Sequence, residues 1–281
     1  MHALVRRTLF VVALAGGLFG LAPDARADEG AWCHDSLETL EGDVCYEPGA
    51  QPDEDGKRTL VIFLHGLVDG GTDWQHQQQR GMALAAKRLK FALLAPKGRT
   101  GLGGKRKDDQ VGWPTSESAR EIMEDDLVGT WTKARETIEA RDGKTFDHVF
   151  VMGFSNGAYY ASSLALRGRL EVDGYAVFAG GSAFPGAERL AKSTKNRRPV
   201  FVGVATKDST AKDGKGLVKL LKKLKWPHAS SSKAVGHVVA DSHLEAAMSF
   251  LRGDPKKPKA TASKPKQKQK QGSKRAVKKK D

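Results

Sequence analysis

The stretch "HVFVMGFSNGAYYASSLAL" (148–166) decides how the rest of the chain is read. Mostly apolar residues run straight into Gly153-Phe154-Ser155-Asn156-Gly157, and small and aromatic residues follow at helical spacing. A strand, a tight turn and a helix in that order present the turn residue at the carboxyl edge of a sheet. In a nucleophile elbow the serine occupies that strained turn. Glycines stand two before and two after it, because any larger side chain would collide there. A serine in the same place also caps a helix well. Five residues alone leave both roles open for Ser155, and only partners elsewhere in the chain can separate them.

Outward from this stretch, short apolar runs alternate with helical patterns, the signature of a mainly parallel sheet covered by helices. Strands are expected at 59–66, 91–98, 148–155, 175–181 and 199–208, with a weaker one near 228–235. Helices are expected at 73–89, about 117–141, from Asn156, around 215–224 and at about 241–252. The fold class is α/β: a doubly wound, mainly parallel sheet with helices on both faces and ligands at the carboxyl ends of its strands. The long loop "RTGLGGKRKDDQVGWPTS" (99–116) is read as functional or mobile. Its cluster Lys105-Arg106-Lys107, followed by Asp108 and Asp109, is read as solvated.

Serine is a poor nucleophile without a base, so an elbow demands partners. On this architecture they follow in the order Ser, acid, His, each after a later strand. Asp208 is expected to end the 199–208 strand and is preferred to Asp213, which falls inside the next helix and reads as solvated. His237 precedes the last helix directly after a glycine. It is preferred to His243, which lies in that helix's first turn and reads as a surface or capping residue. Backbone donors for a tetrahedral oxyanion are expected at Asn156 and at Leu67 in "FLHGLVDGG". His65 reads as a structural residue. Trp74 and Trp113 are candidates to line an acyl or alcohol pocket, or are simply partly buried.

These residues carry a resemblance. "VIFLHGLVDGGTDW", "GFSNGA", a "GW" segment before a helix containing "EDD", and "GH" shortly before the final "FL" resemble the phospholipase/carboxylesterase branch of the α/β-hydrolases, over about residues 58–252. Acyl-protein thioesterases and small bacterial carboxylesterases belong to that branch. The resemblance implies Ser155, Asp208 and His237 as a triad, Leu67 and Asn156 as oxyanion donors, an ester or thioester substrate, and no metal or organic cofactor. Asn156 after the serine is also similar to exported polyester depolymerases and feruloyl esterases. A serine peptidase or polyester depolymerase on the same fold, and a non-catalytic exported binding module, remain as alternatives.

The ends of the 281-residue chain read differently. Residues 1–27 begin with Arg6 and Arg7, continue through "TLFVVALAGGLFGLA" and finish at "ARA", an export signal expected to be cleaved after Ala27. The apolar run of 15 residues is short for a span, which needs about 20. No other segment is long enough, so the mature chain is expected to lack a transmembrane segment and to be periplasmic or secreted. Residues 253–281 hold 12 Lys and Arg against two Asp and almost nothing large and apolar. Such a segment is expected to be disordered. It reads as a tether for an anionic envelope polymer or nucleic acid, or as a solubilising tail. The net charge of +14 is mostly the tail's, since residues 28–252 hold 32 Lys and Arg against 30 Asp and Glu. Cys33 and Cys45 are expected to pair in an oxidising compartment, which would stabilise the fold by roughly 3 kcal/mol. With His34 between them they match no zinc spacing.

Overall fold

The structure is a computed structural model that describes residues 31–102, 109–182 and 186–253. The expected export signal, the expected tail beyond Gly253 and the Lys105–Lys107 cluster lie outside these residues. In chain order the elements are β1 (Glu38–Leu40), β2 (Val44–Glu47), β3 (Thr59–Leu64), α1 (Trp74–Leu89), β4 (Ala92–Pro96), β5 (Arg99–Thr100), β6 (Val111–Gly112), α2 (Glu117–Asp142), β7 (His148–Phe154) and α3 (Asn156–Arg167). There follow β8 (Gly174–Phe178), α4 (Ala187–Ser193), β9 (Val200–Ala205), α5 (Ala211–Lys223), β10 (His228–Lys233) and α6 (Asp241–Arg252).

Eight strands form one sheet in the order β1-β2-β4-β3-β7-β8-β9-β10. From β4 to β10 every neighbouring pair is parallel, and β1 and β2 add an antiparallel edge. The central strands β3, β8 and β9 are buried along their whole length, as strands covered on both faces must be. Alternation along β7 divides the core in two. Val149 and Val151 join the cluster that holds Leu127 and Trp131 of α2, Leu164 of α3 and Leu217 of α5. Phe150, Met152 and Phe154 point the other way, into the cluster with Met82 of α1 and Leu244 and Met248 of α6. Helices α1 and α6 therefore cover one face and α2 to α5 the other.

Several boundaries differ from expectation. The strand expected to reach Asp208 ends at Ala205, and Asp208 lies in the turn before α5. Helix α5 starts at Ala211, four residues before the expected 215. The connection after β8 contains α4, whose Ala187 and Ala191 are buried. The edge β1–β2 was not expected; Cys45 of β2 joins Cys33 in a disulfide that pins the start of the described chain to it. The long loop is anchored at both ends, because β5 pairs with β6 and Val111 bridges to Val68 in the loop after β3.

Candidate active site

Ser155 sits between β7 and α3 with φ 51° and ψ −116°, a strained conformation for a residue other than glycine. The turn is held from both sides: Ser155 N–H donates to the Phe178 carbonyl (3.0 Å) and Gly157 N–H to the His65 carbonyl (3.1 Å). The flanking glycines are required by space. A Cβ on Gly153 would lie 2.2 Å from the Gly157 oxygen, and one on Gly157 would lie 2.1 Å from the Leu64 oxygen. The Ser155 side chain makes no capping bond to α3. Its Oγ lies 2.8 Å from His237 Nε2 instead, so it is not a helix cap.

His237 stands on the loop between β10 and α6, with the Phe154 ring packed 4.9 Å from its own. Its Nδ1 lies 2.7 Å from Asp208 Oδ2. An ionised carboxylate only accepts, so Nδ1 carries the proton and Nε2 is left to accept from the serine hydroxyl. Asp208 also accepts from the Thr210 amide (3.1 Å) and the Thr210 hydroxyl (3.0 Å), and its side chain is only 2 % exposed. Burial would raise its pKa, but the bonds from His237 and Thr210 outweigh it and hold the carboxyl below the usual carboxylate range. Three residues from three loops thus form one hydrogen-bonded relay.

The loop after β3 closes against the elbow. A Cβ on Gly66 would lie 3.2 Å from Ser155 Cβ, and one on Gly112 would lie 2.8 Å from a Leu67 methyl and 3.0 Å from Asn156 Oδ1. Leu67 and Asn156 therefore flank the same strand beside Ser155. That strand braces both. Val68 and Val111 exchange backbone bonds of 3.0 and 2.9 Å, and the Asn156 side chain accepts from the Trp113 amide at 2.7 Å. From the α1 side, Gln78 Oε1 accepts from Gly66 N–H at 2.8 Å. Neither the Asn156 nor the Gln78 contact was anticipated, since each joins segments distant in sequence.

His65 lies beneath this loop, almost fully buried between Trp32 and Trp113. Its Nε2 accepts from Gly98 N–H, so Nδ1 donates to the Gly66 carbonyl. Burial pushes its pKa down to about 4, and it stays neutral. Trp113 corrects its pocket-lining assignment: it is fully buried, stacks on Tyr160 and donates to the His65 carbonyl. Trp74 does line a cavity of about 270 Å³, together with Phe63, Met82, Phe154, Val239 and Leu244. A wider depression of about 790 Å³ lies along α4, at Gly186, Arg189 and Lys192, and neither cavity is lined by Ser155, His237 or Asp208 themselves.

Two other expectations are corrected. Asp213 is not merely solvated; it accepts a 2.6 Å bond from the Tyr159 hydroxyl. Burial and this carboxylate push the Tyr159 pKa up. His243 is not a surface residue: it is fully buried against Gly203, and burial pushes its pKa down. Among the described residues, no group of three or more His, Cys, Asp or Glu is arranged to hold a metal ion, and no helix is long and apolar enough to cross a membrane.

No family model matches the chain. Over 172 residues it is 27 % identical to acyl-protein thioesterase 1 of Saccharomyces cerevisiae, a match covering 57 % of this chain and 74 % of that protein. This similarity supports a place near the phospholipase/carboxylesterase branch of the α/β-hydrolases. Solved structures agree on the α/β-hydrolase fold. A carboxylesterase from Mesorhizobium loti superposes with a TM-score of 0.55 at 19 % identity, covering 77 % of this chain and 99 % of its own. Esterase PE8 gives 0.51 at 19 % identity over 74 % and 96 % of the two chains. A variant of SOBER1 from Arabidopsis thaliana gives 0.51 at 17 % identity over 70 % and 98 %.

Proposed function

We propose that this α/β-hydrolase is an exported serine hydrolase that cleaves carboxylic esters or thioesters through an acyl-enzyme. The observation that supports this most is the unbroken relay from Ser155 Oγ to His237 Nε2 (2.8 Å) and from His237 Nδ1 to Asp208 Oδ2 (2.7 Å). His237 takes the hydroxyl proton as Ser155 attacks the acyl carbon, and Asp208 orients the ring and stabilises the imidazolium. The backbone amides of Leu67 and Asn156 receive the oxyanion; losing one such donor typically lowers kcat by about 10²–10³. The imidazolium then gives its proton to the departing alcohol or thiol. Water, deprotonated by the same histidine, releases the acid. The relatedness to a yeast acyl-protein thioesterase supports ester or thioester chemistry.

Export is supported by the charge and hydropathy pattern of residues 1–27 and by the Cys33–Cys45 disulfide, a bond that persists in oxidising compartments. The Lys-rich tail is a tether to anionic polymer in this reading, and deleting 253–281 leaves turnover of a small ester unchanged. Recovery of a chain starting at Asp28 from a bacterial envelope fraction is the expected result for export.

The decisive test treats residues 28–281 with a fluorophosphonate and maps the adduct by mass. Labelling at Ser155 is expected, lost in Ser155→Ala and strongly slowed in His237→Ala and Asp208→Asn. Absence of labelling in folded protein would overturn the catalytic reading in favour of a binding module.

A further inference from the structure

The charge of the folded body is not spread evenly. Residues 200–240 hold eight lysines and only two acids, Asp208 and Asp213, whereas the rest of 28–252 holds 24 Lys and Arg against 28 Asp and Glu. Both acids are engaged elsewhere. Asp208 accepts from His237 and Thr210, and Asp213 from the Tyr159 hydroxyl. Among the described residues, Lys223 pairs with Glu188 and the other seven lysines make no ion pair.

Helix α5 sets five of these lysines in a row. At 100° per residue, Lys212, Lys215, Lys219, Lys222 and Lys223 fall within an arc of about 100°, and all five are exposed. Gly214, Leu217, Leu220 and Leu221 turn the opposite side of the helix into the core. Lys219 stands four residues from both Lys215 and Lys223, a spacing at which like charges destabilise a helix. Solubility is served as well by interspersed signs, so the row calls for another use.

The row begins at the relay and runs about 16 Å away from it. Ala211 N–H donates to the Asp208 carbonyl, one residue before Lys212. Exposed Lys207 and Lys233 carry the charge past this point: Lys207 N–H donates to the Val235 carbonyl, and Thr206 N–H to the Lys233 carbonyl. These bonds join the segments that bring Asp208 and His237 together. A one-signed row raises the local concentration of anions. Among the described residues the exposed large apolar side chains are Leu84, Ile122 and Val238, none of them on α5. The face therefore lacks the apolar side with which a helix enters a bilayer, and a polymer chain fits it better than a lipid surface.

Resting on the serine-esterase reading above, we propose that the α5 face binds a linear anionic polymer and that the substrate is an ester carried on that polymer. A chain lying along the row is led to the loops of Asp208 and His237, where an ester it carries meets Ser155.

The test uses residues 28–281 and two polysaccharides acetylated to equal density, anionic polygalacturonate and neutral dextran. Acetate release is followed at low and high NaCl, and turnover of p-nitrophenyl acetate normalises each sample for intact sites. At low salt kcat/KM is expected to be at least about tenfold higher on the anionic polymer, the lower end of what a one-signed field supplies. High salt shortens the range of the field and is expected to remove most of that preference.

Two charge-matched variants locate the effect. One combines Lys212→Gln, Lys215→Gln, Lys219→Gln and Lys222→Gln on α5; the other combines Lys256→Gln, Lys257→Gln, Lys259→Gln and Lys264→Gln in the tail. The anionic preference is expected to fall about fivefold or more in the α5 variant and less than about twofold in the tail variant. A loss that follows the tail variant instead overturns the assignment to α5. Equal turnover of the two polymers by an enzyme that labels with fluorophosphonate also overturns it and leaves the esterase reading standing. So does binding to phosphatidylglycerol vesicles that the α5 variant loses while neither polymer is preferred, which makes the face a lipid-binding one. Absence of labelling at Ser155 overturns both readings.

Discussion

Replacing Gly157 with alanine tests the elbow at the point where the structure leaves least room. The added methyl carbon would lie 2.1 Å from the Leu64 oxygen, 2.6 Å from the Leu64 carbonyl carbon and 2.6 Å from the His65 oxygen. All three are backbone atoms of β3 and its loop, so no side-chain rotation relieves the clash. Van der Waals contact between such atoms needs roughly 3.5 Å, and α3 must retreat from β3 by roughly 1 Å or more. That movement breaks the Gly157 N–H bond to the His65 carbonyl. It also carries Ser155 and the Asn156 amide away from His237 and Leu67. Overpacking of this kind typically costs about 1–3 kcal/mol of stability. A misplacement near 1 Å at reacting atoms costs about 10² in rate. Gly157→Ala is therefore expected to melt several degrees lower and to lose about a hundredfold in kcat on an activated ester, with fluorophosphonate labelling slowed in parallel. A variant with wild-type melting temperature and turnover within twofold would refute the claim that the close approach of α3 to β3 sets the position of Ser155.

Gly129, by contrast, is exposed within α2 and a Cβ there would meet nothing within 4 Å; Gly129→Ala is expected to stabilise by about 1 kcal/mol and raise Tm by about 2–4 °C in a thermal melt. Glu124 is nearly buried and accepts from Arg167, Arg169 and Tyr160. Burial would raise its pKa, but these partners outweigh it and hold the carboxyl below its ordinary value. The unfolded chain therefore takes up the proton first as pH falls. The group's contribution to stability is complete above the ordinary carboxylate range and is lost as pH drops through the lowered folded value; urea unfolding between pH 7 and 3 should show that slope reduced in Glu124→Ala. The same variant strands Arg167 and is expected to cost about 3–5 kcal/mol at pH 7. Replacing Cys33 and Cys45 together with serine is expected to lower the unfolding free energy by about 3 kcal/mol on the loop-entropy account, read from the same urea titrations.

What the sequence made legible, and what it hid, follows from the distance over which each feature is determined. The parallel core was legible because a strand buried on both faces must be apolar throughout, and β3, β7, β8 and β9 are read from their own residues alone. The positions of Ser155, Asp208 and His237 were legible for a related reason. In a doubly wound sheet each lies just beyond a strand, so chain order stands in for spatial proximity. Asp208 shows how far that substitution can be trusted: the strand ends three residues earlier than expected, and the turn held by Thr210 carries the carboxylate to His237.

The features that were misjudged depend on partners far along the chain. Strands β1 and β2 are three and four residues long, and β2 gains its place only by pairing with β4, Val44 opposite Pro96. His243 has the local pattern of a polar residue in a helix's first turn, yet Gly203 on β9 has no side chain, and the imidazole fills the space that leaves. Trp113 sits in a glycine-rich segment that reads as functional or mobile. The Asn156 side chain and the His65 carbonyl draw it inward until it is core. Gln78 is one of three consecutive glutamines in a helix and carries no local mark at all. Its role rests on Gly66 N–H lying within reach of its Oε1, a contact that ties α1 to the loop after β3. Residues placed by chain order can be found in a sequence; residues that position them through contacts across the sheet's edge, as Asn156 does with Trp113 and Gln78 with Gly66, cannot.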